Sequence, residues 1–170
     1  MNLTLTNYTM NKTINIFSNS KNDNTQLYTS TISFELLFNL KEGIISSREL
    51  TKDELQLKKH ISRKCSGYKQ QDKKHLKREI IINKIAITKM NLIDMLISTN
   101  GYCYYCKKKY NLMPICRNDR TQWSLDRIDN TQIHSLDNCV ISCLDCNLIR
   151  RRRDCDKWRD TKQMIIKKED

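Results

Sequence analysis

The chain has 170 residues, of which 38% are hydrophobic and 29% charged, with only 3 Gly and 1 Pro. That is enough for one domain with extensions, and it excludes collagen-like and Pro-rich linker character. The formal net charge is +12, and a surface this basic attracts polyanions, phosphate backbones foremost among them.

Residues 1–31 are rich in Asn, Thr and Ser without apolar periodicity, and read as a disordered segment. No continuous apolar signal core follows the first residue. The longest apolar runs, such as Ile80-Ile81-Ile82, fall far short of a membrane span. An intracellular, reducing compartment is therefore expected, with no membrane partner and no secretion.

Residues 32–100 read as a helical, basic region. A short apolar patch (Phe34, Leu36, Leu37, Phe38, Leu40) leads to two capping-box patterns, Ser46-x-x-Glu49 and Thr51-x-x-Glu54. The second predicts a helix from about Lys52 to Arg63, with Leu55 and Leu57 among its apolar contacts. Residues 58–89 carry eleven Lys or Arg against Asp72 and Glu79 alone. From Tyr68 onward this stretch reads as a polar helix with little to bury. It is either a solvated face or an arm contacting a phosphate backbone, with Lys73 and Lys74 as candidate contacts. Leu92, Ile93, Leu96 and Ile97 then recur at helical spacing, with Thr88 as N-cap and Asn100-Gly101 as the stop.

Eight cysteines in a chain read as intracellular are not expected to form a disulfide framework. Cys103-Tyr-Tyr-Cys106 and Cys143-Leu-Asp-Cys146 are two Cys-x-x-Cys pairs, each able to aim two thiolates at one ion. Together they predict a closed, four-thiolate structural Zn²⁺ site with no position open for catalysis. Cys65 and Cys116 lack a partner at that spacing, and Cys139 and Cys155 read as small buried hydrophobes. Between the pairs, alternation through Trp123, Leu125 and Val140 predicts two short antiparallel strands around a loop. After the second pair come Asn147 and then Arg150, Arg151, Arg152 and Arg153 at the start of a last helix. Leu148, Cys155, Trp158 and Ile165 fall near one stripe of that helix and are expected to pack inward. Residues 161–170 form a charged tail.

Over Gly101 to about Arg153 the sequence resembles the HNH endonucleases, ββα-metal nucleases of the zinc-knuckle type, in the look of their phage and large-DNA-virus members. The matching elements are CYYC, SLDRIDN, the H-x-x-DN block and CLDCN. The resemblance implies an α+β fold, a small zinc-stabilised ββα-metal domain over residues 101–160 preceded by basic helices. It implies that Cys103, Cys106, Cys143 and Cys146 hold zinc, and that Asp126 and Asn147 hold a catalytic divalent ion. Their oxygens are hard ligands suited to Mg²⁺ or Mn²⁺. Asn138 takes the place of the Asn that ties the loop between the strands.

One position departs from the family. Where its general-base His is found, this chain has Arg127, which stays protonated and can clamp a phosphate but cannot take a proton from water. His134 is the candidate replacement, against the competing reading that it bonds within its loop. Asp129 is a second candidate and reads more simply as a turn residue. His60 and His75 receive no role. The function implied is metal-dependent hydrolysis or nicking of double-stranded DNA. The alternatives are a non-catalytic nucleic-acid-binding module, supported by Arg127, and an interaction-type zinc finger.

Overall fold

A computed structural model describes residues 34–76 and 84–165. The segment read as disordered, the basic residues Lys77 and Arg78, and the end of the charged tail lie outside the described residues. In chain order the elements are α1 (Glu35–Ile45), α2 (Lys52–His75), α3 (Lys89–Ser98), β1 (Trp123–Arg127), β2 (Cys139–Cys143), α4 (Leu144–Arg150) and α5 (Cys155–Gln163). The fold is α+β, five helices with one two-stranded antiparallel sheet among the described residues. None of these helices is long and apolar enough to cross a membrane.

Of the two capping boxes, only the one at Thr51 forms. Thr51 accepts the Glu54 N–H at 3.3 Å, and Glu54 accepts the Thr51 N–H at 2.8 Å. Ser46 instead ends α1, its N–H and Oγ both donating to the Glu42 carbonyl at 2.9 and 2.7 Å. The box fails because Ser47 turns the chain at φ 55° and Arg48 swings back to Asn39 O and Glu54. Thr88 does cap α3, reciprocally with Asn91, and Asn100 and Gly101 turn left-handed at φ 47° and 81° to end it.

The helix expected to stop near Arg63 and the polar helix read from Tyr68 onward form one element to His75, and its second part buries Tyr68 and Asp72 where little burial was expected. Leu57, Ile61, Cys65, Tyr68 and Asp72 recur every three or four residues and are all buried, so one face of α2 points inward along most of its length. The last two anchors of that stripe are polar, which is why apolar periodicity alone splits the helix and misses its second buried face. Leu57 is fully buried, but Leu55 is 41% exposed and makes no core contact of the kind expected. Leu37 and Leu40 of α1 and Leu92, Ile93 and Leu96 of α3 complete the helical side of the core.

On the other side lies the hairpin, in register Trp123↔Cys143, Leu125↔Ile141 and Arg127↔Cys139. Trp123, fully buried, donates its indole N–H to Leu112 O at 3.0 Å and meets the His60 ring edge-on at 5.9 Å. Lys64 of α2 lies over the same indole and donates to Trp123 O. Tyr68 Oη accepts the Leu125 N–H at 3.0 Å. The long helix therefore holds β1 by side chains rather than by apolar contact alone.

The last helix is interrupted. α4 stops at Arg150, Arg151 turns the chain at φ 54°, and Asp154 caps α5 by accepting the Lys157 N–H at 2.9 Å. Cys155 and Trp158 are buried as expected, but Leu148 is 53% and Ile165 82% exposed, because the break puts them on different elements.

Candidate functional site

The two Cys-x-x-Cys pairs converge. The Sγ atoms of Cys103, Cys106, Cys143 and Cys146 all lie within 4.8 Å of one another, and none of the eight cysteines is in a disulfide. Tetrahedral Zn–S bonds of about 2.3 Å require sulfurs about 3.8 Å apart, and the Cys106–Cys143 separation is 4.0 Å. The cluster fits a metal ion such as zinc. Its scaffold explains the fit: Cys103 N–H donates to Lys108 O at 3.0 Å, closing the first turn, and Cys143 caps α4, accepting the Cys146 N–H. The Tyr104 N–H joins the first turn to β2 at Ile141 O, 3.0 Å away.

Asp126 sits on β1, 4% exposed, with both carboxylate oxygens engaged. Arg150 of α4 grips it in a fork, Nε to Oδ2 at 2.6 Å and Nη2 to Oδ1 at 2.9 Å. Tyr105 Oη donates to Oδ2 at 2.7 Å. Burial, then Asp126, raises the Tyr105 phenol well above its ordinary range, so the phenol keeps its proton and remains a donor. Arg150 is fully buried and also donates to Arg127 O and Arg153 O. Expected at a nucleic-acid surface, Arg150 is instead inside the protein. Asp126, the expected metal-binding carboxylate, has both oxygens held by Arg150 and Tyr105, so a divalent ion there would compete with a guanidinium for them.

Asn147 of α4 lies against β1, its Nδ2 donating to Ser124 Oγ at 2.8 Å and Leu125 O at 3.2 Å. The structure thus brings it beside the residue preceding Asp126. Asn138 binds across the loop between the strands: Oδ1 accepts the Asp129 N–H at 2.9 Å, and Nδ2 donates to Asp129 O and Ile133 O, each at 3.0 Å. Asp129 makes a local turn, accepting the Thr131 N–H and hydroxyl at 2.8 and 2.7 Å.

His134 is buried at 3% exposure. Asp72 accepts its backbone N–H at 2.9 Å and contacts Nδ1 at 2.7 Å, while Tyr68 lies over the ring with centroids 4.9 Å apart. Burial lowers the imidazole below its ordinary range against the pull of Asp72. Asp72 also lies 3.6 Å from Arg127 Nη1, which donates to Gln132 O at 3.0 Å. Sequence reasoning passed over Asp72, although its spacing from Ile61, Cys65 and Tyr68 places it on the inward stripe.

Beside this buried layer opens a groove of about 1100 Å³. Arg127, Arg151, Arg152, Arg153 and His75 line it, the buried Arg150 forms part of its wall, and Asp129, Asn130 and Asp154 are among the others. His75, given no role from sequence, stands at the end of α2 next to the exposed Lys73 and Lys74. His134 does not line the groove. Comparison with known protein families, with curated proteins and with solved structures returns no match.

Proposed function

We propose that this chain is a zinc-stapled, ββα-type nucleic-acid-binding module that grips the phosphate backbone of duplex DNA in the arginine-lined groove. The observation that carries the reading is the Asp126–Arg150 fork. It engages the carboxylate on which metal-dependent hydrolysis would rest, and leaves Arg127, Arg151, Arg152 and Arg153 as the groove's chemistry. Guanidinium groups match phosphate oxygens in charge and in donor geometry. Zn²⁺ on the four cysteines would fix the hairpin and α4, and so the angle at which the arginines are presented.

The second reading is the endonuclease that the sequence resemblance implies. The bonds of Asn147 to Ser124 and Leu125, the two residues before Asp126 on β1, favour it, since Asn147 and Asp126 are the expected ligands of Mg²⁺ or Mn²⁺. It requires Arg150 to release the carboxylate. It also needs a proton acceptor, and His134 is enclosed by Asp72 and Tyr68.

Supercoiled plasmid incubated with zinc-loaded protein, with and without Mg²⁺ or Mn²⁺, separates the two. Retarded plasmid that remains supercoiled in either ion is the expected result. Metal-dependent nicking that disappears in Asp126→Ala would overturn the binding reading in favour of hydrolysis.

A further inference from the structure

The groove is not the only basic surface. Between Gly101 and Asn118 the sequence contains Lys107, Lys108, Lys109 and Arg117 and no acidic residue. The three lysines are consecutive, exposed, and joined to no carboxylate in an ion pair among the described residues. Exposed lysines elsewhere are often mobile chains whose ordering opposes any contact they make. Here two are held: Lys107 Nζ lies 5.5 Å from the Tyr104 ring centroid and Lys109 Nζ 5.8 Å from that of Tyr102.

Their backbone is held as well. Lys107 takes a left-handed φ of 55° and donates its N–H to Cys103 O at 3.1 Å, while Lys108 O accepts the Cys103 N–H. Lys109 bridges back to Tyr102. A turn closed onto a cysteine of the cluster therefore presents a preset block of positive charge, which lowers the ordering cost of meeting an anion.

This block and the groove occupy opposite ends of the hairpin. The Cys103 turn clusters with Cys143, which faces Trp123, whereas Arg127 faces Cys139 at the other end. Four residues of strand separate those ends, about 13 Å at roughly 3.3 Å per residue. One ligand that engages both must be extended and carry anionic charge along its length, as a nucleic-acid backbone does.

We infer that Lys107, Lys108 and Lys109 form a second phosphate-contacting surface, so that the module holds one DNA duplex at two points rather than in the groove alone. The inference rests on the binding reading given above. It differs from that reading in assigning function to the cysteine turn itself, which otherwise serves only as a staple.

The test is binding of a short labelled DNA duplex by the zinc-loaded full chain across a salt series. Two triple variants are compared with the wild type, Lys107→Gln/Lys108→Gln/Lys109→Gln and Arg151→Gln/Arg152→Gln/Arg153→Gln. Each phosphate contact contributes about 0.9 to the slope of log affinity against log salt. The lysine variant is expected to lose about 1 to 3 from that slope and tenfold or more in affinity, with unchanged zinc content and circular dichroism. Lys→Arg replacement at the same three positions should restore both. Wild-type affinity and slope in the lysine variant, with binding lost in the arginine variant, would overturn the second surface and leave the groove reading intact. No duplex binding by the wild type at low salt would overturn both.

Discussion

At the scale of single residues, the Asp126–Arg150 pair is where the binding and hydrolysis readings part. Removing one member leaves the other buried and uncompensated, so Asp126→Asn should cost about 3–5 kcal/mol in urea unfolding. The joint change Asp126→Leu/Arg150→Met removes both charges and should recover most of that loss. If DNA affinity of the double variant equals that of the wild type, the pair holds the scaffold and does not touch the ligand. A second residue sets the acid limit. Burial, with Lys64 and Arg63 nearby, lowers the His60 imidazole to about 4, and its Nε2 has no hydrogen-bond partner. The unfolded imidazole titrates near 6.5, so between pH 6.5 and 4 the unfolded state binds a proton that the folded state refuses. Stability therefore falls as pH falls through that window, by up to about 3 kcal/mol. Urea titrations of His60→Phe should show a flatter decline over the same range.

At the scale of elements, α2 and the break after α4 decide how the groove is built. Thr51→Ala deletes the N-cap acceptor of α2 and should cost about 1 kcal/mol by thermal unfolding. Arg151 holds φ 54° and ψ −111°, a conformation that favours glycine. Arg151→Gly should therefore stabilise the protein by about 1 kcal/mol while weakening DNA binding by the loss of one groove cation. These two elements also mark how far the sequence was legible. Both strands, the four cysteines and the caps at Thr51 and Thr88 follow from spacing, because thiolate pairs, alternation and capping boxes are local patterns. That α2 is one helix with an inward face to its end was hidden because that face ends in Tyr68 and Asp72, whose partners Leu125 and His134 lie far along the chain. The run Arg150 to Arg153 looks uniform in sequence. All four border the groove, and only the turn at Arg151 buries the first of them while leaving the other three exposed. Tyr105, the second residue inside the first Cys-x-x-Cys pair, gave no sign from spacing that it would reach Asp126.

At the scale of the whole molecule, one core joins the helical layer to the hairpin, and the cysteine cluster sits on the hairpin side. Chelating a metal held by these cysteines, or Cys146→Ser, should therefore destabilise the entire chain rather than a detached finger. A fall in Tm of about 10 °C or more is expected, with loss of the near-ultraviolet signal of Trp123. The same arrangement bears on solubility. A two-stranded sheet presents an open row of peptide groups on which a third strand, from another molecule, can template. In β1 five of the groups turned away from β2 are already taken: Trp123 N–H by Asn111 O, Trp123 O by Lys64, Leu125 N–H by Tyr68, Leu125 O by Asn147, and Arg127 O by Arg150. Four side chains and one loop carbonyl thus act as a blunt border against aggregation. Tyr68→Phe reopens one rung of that border and should make the protein self-associate at high concentration by light scattering while the monomer keeps its fold.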